Sequence, residues 1–500
     1  MTTTFSASPL RNNQNRHWPI WLILALISIV SVGGYLLVSG FVYRIGFPVD
    51  DAWIHQTYAR NLALRGEWAF NPGKPSGGST APLWSAMLAI GFSLKMAPYA
   101  WAYLLGTGAL WGIALLGETV TRRLVPAYHP HFPWIGAALA VEWHLVWASA
   151  SGMETLLYAL LVTAVLILLI SGSQKFFGIG LLIGLSVWVR PDGITLLGPG
   201  VLVILLYQSS WSKRLRALVN LGLGFGSPFA LYLLFNLMIS GHPWPNTFYA
   251  KQAEYASYLK LPFLQRLANE ALQPIIGAGV LLLPGLIITI ITAIRRRSWG
   301  ILAAVTWLVG FLILYAWFLP VTYQHGRYVI PAMPAYFLLC LLGLLEFGSR
   351  RVSRRAWIFP TFWRLAVGVV LLVFWVRGAF AYSQDVALIE SEMVATARWI
   401  SVHVPTGTLV AAHDIGAMGY FGKHDLVDLA GLITPEVIPF LRDEKQIATY
   451  LTERHVEYLV AFPDWYPSLT EHLSPIFSTG APYAPALGEK NMAVYRWSSP

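Results

Sequence analysis

Long apolar stretches recur along this chain, beginning near Trp18, Trp101, Phe132, Thr155, Leu215, Gln273, Gly300, Val329 and Phe362. At roughly 17 to 25 residues each, they suit the about 30 Å hydrocarbon core of a bilayer. Shorter apolar stretches flank Arg190-Pro191-Asp192-Gly193. A bilayer offers no water to satisfy backbone polar groups, so such segments must be helices that pair their own N–H and C=O groups. Composition agrees: 56% of the 500 residues are hydrophobic, only 12% are charged and 22 are Trp, which excludes an ordinary soluble domain.

The net charge of +10 does not describe a nucleic-acid surface, because the basic residues cluster in short loops between apolar stretches. These clusters are Arg122-Arg123, Lys213-Arg214 with Arg216, Arg295-Arg296-Arg297, Arg350-Arg351 and Arg354-Arg355. Membrane proteins keep such clusters in the cytoplasm. All of them fall on that side if Thr80 to Pro98 lies in the interface rather than crossing, and about eleven helices then alternate from a cytoplasmic N-terminus to an extracytoplasmic C-terminus. The polar tail 1–17, with Arg11 and Arg16, precedes a first helix retained in the mature protein. Cys340, the only cysteine, excludes an intrachain disulfide and any cysteine-rich metal site.

This topology divides the chain into the tail 1–17, an all-α polytopic membrane domain over 18–381 with a first outer loop at 41–98, and an extracytoplasmic domain over 382–500. The last is α/β in character, with strand-like runs at Thr408 to Ala412, Tyr458 to Phe462 and Met492 to Trp497. Five loops share the outer face: Tyr43 to Gly78, Ser149 to Glu154, Arg190 to Gly193, Gly241 to Lys251, and Tyr323 to Tyr328.

Chemistry-bearing residues gather in those loops. Asp50 and Asp51 follow the first apolar run, and His55 lies one turn later on an amphipathic stretch. Neighbouring carboxylates at a membrane boundary raise one pKa toward neutrality, which suits a general base. Their structural alternative is an N-cap and a first-turn dipole partner. The turn-rich Ser76-Gly77-Gly78-Ser79 offers backbone N–H groups to a phosphate or is a plain loop. Glu154 opens a helix, where it binds a hydroxyl or caps. Arg190 with Asp192, Asn246 with Lys251, and His325, Arg327 and Tyr328 place basic groups on the face where they are disfavoured, and an anionic ligand supplies the reason. His413-Asp414 is read as a strand-to-turn feature, since adjacent residues on a strand face opposite ways.

The Asp50-Asp51 pair after the first helix, the Pro82-Leu83-Trp84 segment and Glu154 resemble the first-loop acidic motif, the interfacial helix and the second acidic position of the GT-C superfamily of integral membrane glycosyltransferases. Asn71-Pro72-Gly73 and Gly152-Met153-Glu154 are most similar to its arabinofuranosyl- and mannosyltransferase-like bacterial members. The resemblance covers about the first half of the chain. It implies transfer of a hexosyl or pentosyl group from a polyprenyl-phosphate donor to a hydroxyl of a glycan, lipid or protein acceptor, on the extracytoplasmic face of the cell membrane and with inversion. Asp50 or Asp51 would be the base, and Arg327 with Lys251 or Arg190 would neutralise the departing phosphate. His55, Glu154, Asp192, Asn246, His325 and Tyr328 would complete substrate binding. No cofactor is required, and a divalent metal is compatible but not demanded. The competing class is a transporter or flippase of lipid-linked sugars, favoured by the short segments around Arg190.

Overall fold

The computed structural model describes residues 19–349 and 358–498, and side chains for all of these except 348–349 and 358–360. The tail 1–17 and the arginines at 350, 351, 354 and 355 lie outside the described residues.

The chain begins with α1 (Ile20–Val42), α2 (Asp51–Arg65), α3 (Pro82–Ser93) and α4 (Pro98–Leu124). The apolar stretch from Phe132 was expected to be one helix. It is two, α5 (Trp134–Val141) and α6 (Trp143–Ser149), because Glu142 leaves the helical conformation and its carboxylate accepts the Leu145 N–H at 3.1 Å, capping the second piece. There follow α7 (Thr155–Ile170), α8 (Phe176–Val189), α9 (Leu197–Tyr207), α10 (Trp211–Ser240), α11 (Asn246–Glu254), α12 (Phe263–Leu272), α13 (Ala278–Arg296) and α14 (Trp299–Phe318). A short turn, α15 (Tyr323–Gly326), leads to α16 (Met333–Ser349) and α17 (Ile358–Ile389).

Among the described residues, seven helices are long and apolar enough to cross a membrane, which makes this a multi-pass membrane protein. Helix α3, in the stretch assigned to the interface, has 12 residues. At about 1.5 Å per residue it falls well short of the hydrocarbon thickness. The helix ends sort by charge. Arg122 and Arg123 end α4, Lys213, Arg214 and Arg216 begin α10, and Arg295 and Arg296 end α13. Asp50, Glu154, Arg190, Lys251 and Arg327 all stand beyond opposite ends, those of α1, α7, α8, α10 and α14.

Close packing of α8 on α10 positions the Arg190 end of the bundle. Gly180 and Gly224 sit where a Cβ would meet the Leu221 carbonyl oxygen at 2.2 Å and the Phe177 carbonyl oxygen at 2.1 Å. Small residues let membrane helices approach this closely, where dispersion between backbones replaces the missing hydrophobic drive.

Helix α17 is 32 residues long, about 48 Å, and passes without a break through the expected boundary at 382. A π-helical stretch, Glu390–Val394, then joins it to α18 (Ala395–His403). The C-terminal domain holds β1 (Leu409–Ala412), α19 (Gly416–Phe421), β2 (Asp425–Asp428), α20 (Glu444–Glu453), β3 (Tyr458–Ala461), β4 (Pro475–Ser478) and β5 (Ala493–Arg496). The sheet order is β2-β1-β3-β5-β4, with β1 parallel to both its neighbours and β5 antiparallel to β3 and β4. Glu392 fastens this sheet to the end of the long helix by accepting from Asn491 Nδ2 at 2.8 Å and the Met492 N–H at 2.9 Å.

The tight α8–α10 contact generates a prediction. Gly224→Val should force the backbones apart and cost about 1–3 kcal/mol, as overpacking does, lowering the thermal unfolding midpoint in detergent. Gly222→Ala, where a Cβ meets nothing within 4 Å, should leave it unchanged. Equal midpoints for both variants would refute the packing account.

Candidate functional site

Asp50 and Asp51 point to different partners. Asp50 precedes α2 but does not cap it, since its side chain makes no hydrogen bond to that helix. Its carboxylate instead reaches the C-terminal domain, where Oδ2 accepts the Gly416 N–H at 2.6 Å and Oδ1 accepts the Ala417 N–H at 2.8 Å. These are the first N–H groups of α19, so Asp50 satisfies the terminal donors of another helix. Ten residues on, Arg60 donates to the carbonyls of Tyr420 at 2.6 Å and Gly419 at 3.1 Å, at the other end of α19. The single helix α2 thus holds both poles of a helix in the C-terminal sheet domain. Trp53 fills the space between, its ring 4.7 Å from Tyr420 and 4.6 Å from Phe421. Burial and the neighbouring Asp414 push Asp50 up to about 8, against the opposing pull of its two backbone N–H donors.

Asp51 turns toward the cations. Arg327 Nη2 donates to Asp51 Oδ2 at 2.7 Å and Lys251 Nζ does so at 3.4 Å. Burial alone would raise this carboxyl. The charges of Lys251 and Arg327, the Arg327 hydrogen bond and His55 hold it well below the usual carboxylate range. The two neighbouring aspartates are therefore driven apart in pKa by their surroundings.

The cations converge on one phenol. Arg327, Arg190 and Lys251 lie 5.0, 5.4 and 5.6 Å from the centre of the Tyr328 ring, and Arg327 Nη2 also donates to the Tyr328 hydroxyl at 3.0 Å. Like charges this close repel unless anions intervene. Asp51 serves Arg327 and Lys251, while Glu154 and Asp192 serve Arg190 at 3.3 and 3.1 Å. Tyr315 completes that end by bonding both Arg190 and Asp192 at 2.8 Å. Glu154 does not use its side chain to cap α7. Its Oε2 lies at ion-pair distance from His55 Nε2, 3.3 Å, and His55 Nδ1 lies 3.0 Å from Ser85 Oγ. Burial would raise Glu154, but the His55 hydrogen bond and the charges of His55 and Arg190 bring it down to about 2.

Asp51, His55, Glu154, Arg190, Asp192, Lys251, Arg327 and Tyr328 form one connected network. Arg327, only 5% exposed, still has an Nη1 with no hydrogen-bond partner among the described residues. Such a buried donor is poised for an added anion. Other expected residues fall elsewhere. His325 stands apart, its Nε2 2.8 Å from Asp385 Oδ2 on α17 and its ring between Trp143 and Trp147. Asn246 joins through its backbone, donating to the Gly77 carbonyl at 3.1 Å. The glycine turn does not offer a free phosphate cradle, because the Gly78 N–H is spent on the Tyr58 hydroxyl at 2.9 Å. Among the described residues, no group of three or more His, Cys, Asp or Glu is arranged to hold a metal.

Glu254 was missed by the sequence reading. It lies one turn after Lys251 on α11 and binds His413 Nε2 at 3.2 Å and Arg442 Nη2 at 3.1 Å. The i, i+3 spacing of Lys251 and Glu254 was the available signal. His413 and Asp414 lie directly past the end of β1 at Ala412, at the strand-to-turn position expected for them.

The Asp50 clamp makes a prediction. Asp50→Asn replaces one acceptor by a donor facing an N–H group, so docking of α19 should weaken by about 1–3 kcal/mol. Amide hydrogen exchange at 416–421 should quicken, whereas unchanged exchange there would refute the clamp.

No curated protein matches the sequence. A domain family of unknown function, DUF8728, matches residues 380–495. ArnT from Cupriavidus metallidurans is similar in structure at TM-score 0.57 and 15% identity, over 95% of this chain and 97% of that one. The same protein bound to undecaprenyl phosphate gives 0.56 at 14% identity, with the same coverage. The oligosaccharyltransferase of Archaeoglobus fulgidus gives 0.56 at 12% identity over 90% of this chain and 70% of that one. The mycobacterial arabinofuranosyltransferase AftD gives 0.51 at 15% identity over 95% and 41%. Likenesses spanning nearly the whole chain at such low identity are likenesses of fold, and the fold of this chain is the GT-C fold that its acidic first loop resembles.

Proposed function

We propose that this protein transfers a glycosyl group from a polyprenyl-phosphate donor to an acceptor hydroxyl, at the membrane boundary on the extracytoplasmic side. The observation that carries the reading is the contact of Asp51 with Arg327 and Lys251 beside an unpartnered Arg327 Nη1. A carboxylate base and cations for a leaving phosphate must lie within a few ångströms of one another, on either side of the sugar's anomeric carbon. The likeness to ArnT, which has been seen with undecaprenyl phosphate, fits a lipid phosphate as the anion. Exclusion of the basic clusters from this end of the bundle supports its being extracytoplasmic.

Asp51 rather than Asp50 is the base in this reading, because both oxygens of Asp50 are committed to α19. A donor phosphate would draw Arg327 and Lys251 from Asp51 toward itself. Freed of their charge, Asp51 would regain basicity only when donor is bound. It then accepts the acceptor hydroxyl proton as the new bond forms between that oxygen and the anomeric carbon. The bond from the anomeric carbon to the phosphate oxygen breaks, and polyprenyl phosphate leaves with the electron pair. Attack opposite the leaving group inverts the centre and needs no covalent intermediate.

Purified protein in lipid vesicles, given radiolabelled polyprenyl-phosphate sugars and a panel of octyl glycosides as acceptors, tests the reading. Glycosylated acceptor and released polyprenyl phosphate are expected. A translocator built around the α8–α9 break at Arg190 would instead move intact donor across the bilayer, and that result would sink the enzyme.

Two variants probe the roles. Asp51→Asn should lower turnover about 100-fold or more with undecaprenyl phosphate binding preserved, and parental turnover would remove the base. Arg327→Lys should weaken undecaprenyl phosphate binding about tenfold, because a point charge replaces a planar fork with two donors for phosphate. Unchanged affinity would leave the phosphate role of Arg327 without support.

A further inference from the structure

The soluble domain presents one edge of its sheet to the site just described. Strand β1 lies between β2 and β3 with all three parallel, and the chain leaves β1 for β2 on one side before crossing to β3 on the other. Such a reversal opens a crevice beyond the carboxyl end of the central strand, where open α/β sheets bind ligands. His413 and Asp414 are the residues immediately past that end. The crevice opens on the membrane domain, because Gly416, two residues further on, receives Asp50. The fit is close: a Cβ on Gly416 would lie 2.0 Å from the Asp50 carbonyl oxygen.

Within this turn the two side chains have different duties. His413 is fully engaged, with Nε2 3.2 Å from Glu254 and Nδ1 2.7 Å from the Tyr466 hydroxyl. Burial would lower its pKa, but the Glu254 hydrogen bond and charge raise it, and both ring nitrogens are occupied. Glu254 stands one turn from Lys251 on α11, which fixes the turn relative to the cation cluster. Asp414 has the opposite character. Its Oδ2 is shielded from solvent and has no hydrogen-bond partner among the described residues. Burial raises Asp414 to about 6, with His413 opposing and Asp51 and Glu254 assisting. A screened carboxylate oxygen without a donor is costly unless a ligand supplies one.

Resting on the transfer reading above, we infer that Asp414 is an acceptor-binding residue, a carboxylate contributed by the soluble domain that takes a hydroxyl of a neutral, sugar-like acceptor. The cation cluster suits the phosphate of the donor. Asp414 lies at the acidic end of the same site, where Asp50 and Asp51 leave no place for a second anion, so a hydroxyl donor is the complementary group. The soluble domain is then part of the binding site and not only an appendage to it.

The test measures transfer to octyl glycosides from a radiolabelled polyprenyl-phosphate sugar, together with undecaprenyl phosphate binding, in full-length protein. Asp414→Ala should raise the acceptor KM about tenfold or more, the scale of one lost charge-assisted hydrogen bond, with kcat within about threefold and undecaprenyl phosphate affinity unchanged. Asp414→Asn, which keeps one acceptor oxygen, should recover part of that loss. A structural role would weaken undecaprenyl phosphate binding and lower the melting temperature in both variants, and either finding overturns the proposal. So does a fall in kcat at constant KM, which would make Asp414 the base. Parental protein that binds undecaprenyl phosphate but transfers to none of the acceptors would overturn the acceptor role alone. Parental protein that neither binds it nor transfers sugar would remove the donor reading, and the acceptor role with it.

Discussion

The grip of α2 on both ends of α19 is the contact on which the rest of the site depends. A helix of six residues cannot satisfy its own terminal groups, and here a carboxylate takes the N-terminal donors while a guanidinium takes the C-terminal acceptors. Because Asp50 and Arg60 belong to one helix, they act as a ruler that fixes the position and direction of α19. Trp53, Tyr99, Phe47, Tyr420 and Phe421 fill the contact with tilted and edge-on rings, each pair adding about 0.5–1.5 kcal/mol beyond its buried area. Removing Asp50 from α19 would also release the turn that carries His413 and Asp414.

Commitment of Asp50 leaves Asp51 as the carboxylate facing the cations. Arg190, Lys251 and Arg327 around a single tyrosine would be untenable alone, and three acids offset them, Asp51 shared by Lys251 and Arg327 and Glu154 with Asp192 on Arg190. A balanced network of this kind is stable without ligand yet responsive to one. In the proposed reaction an incoming phosphate would tip the balance, most strongly for the residue that shares its cations. Binding of donor and readiness of the base would there be coupled through electrostatics.

Much of this was legible in the sequence, for a definite reason. Apolar runs report the solvent around each segment, so the long helices follow from local composition. The strand-like runs at 408–412, 458–462 and 492–497 correspond to β1, β3 and β5, whose alternation or apolar content is local as well. Edge strand β4, with mostly exposed residues, carries no such pattern. The break at Glu142 was also invisible, because the surrounding apolar content satisfies the membrane whether the helix is continuous or not.

The sequence by itself determined where acids and bases collect: bilayer energetics disfavour them within the spans, so they are left in the loops at the helix ends. It did not determine their pairing. Asp50 and Asp51 are neighbours in the chain with the same chemistry, and only the tertiary structure sends one to α19 and the other to Arg327, 276 residues away. Likewise nothing in their own segments pairs Glu254 with His413, which become partners only when α11 meets the end of β1. Solvation is a property that each segment carries with it, whereas a charge acquires its partner, and hence its proton affinity, from whatever the fold places within a few ångströms.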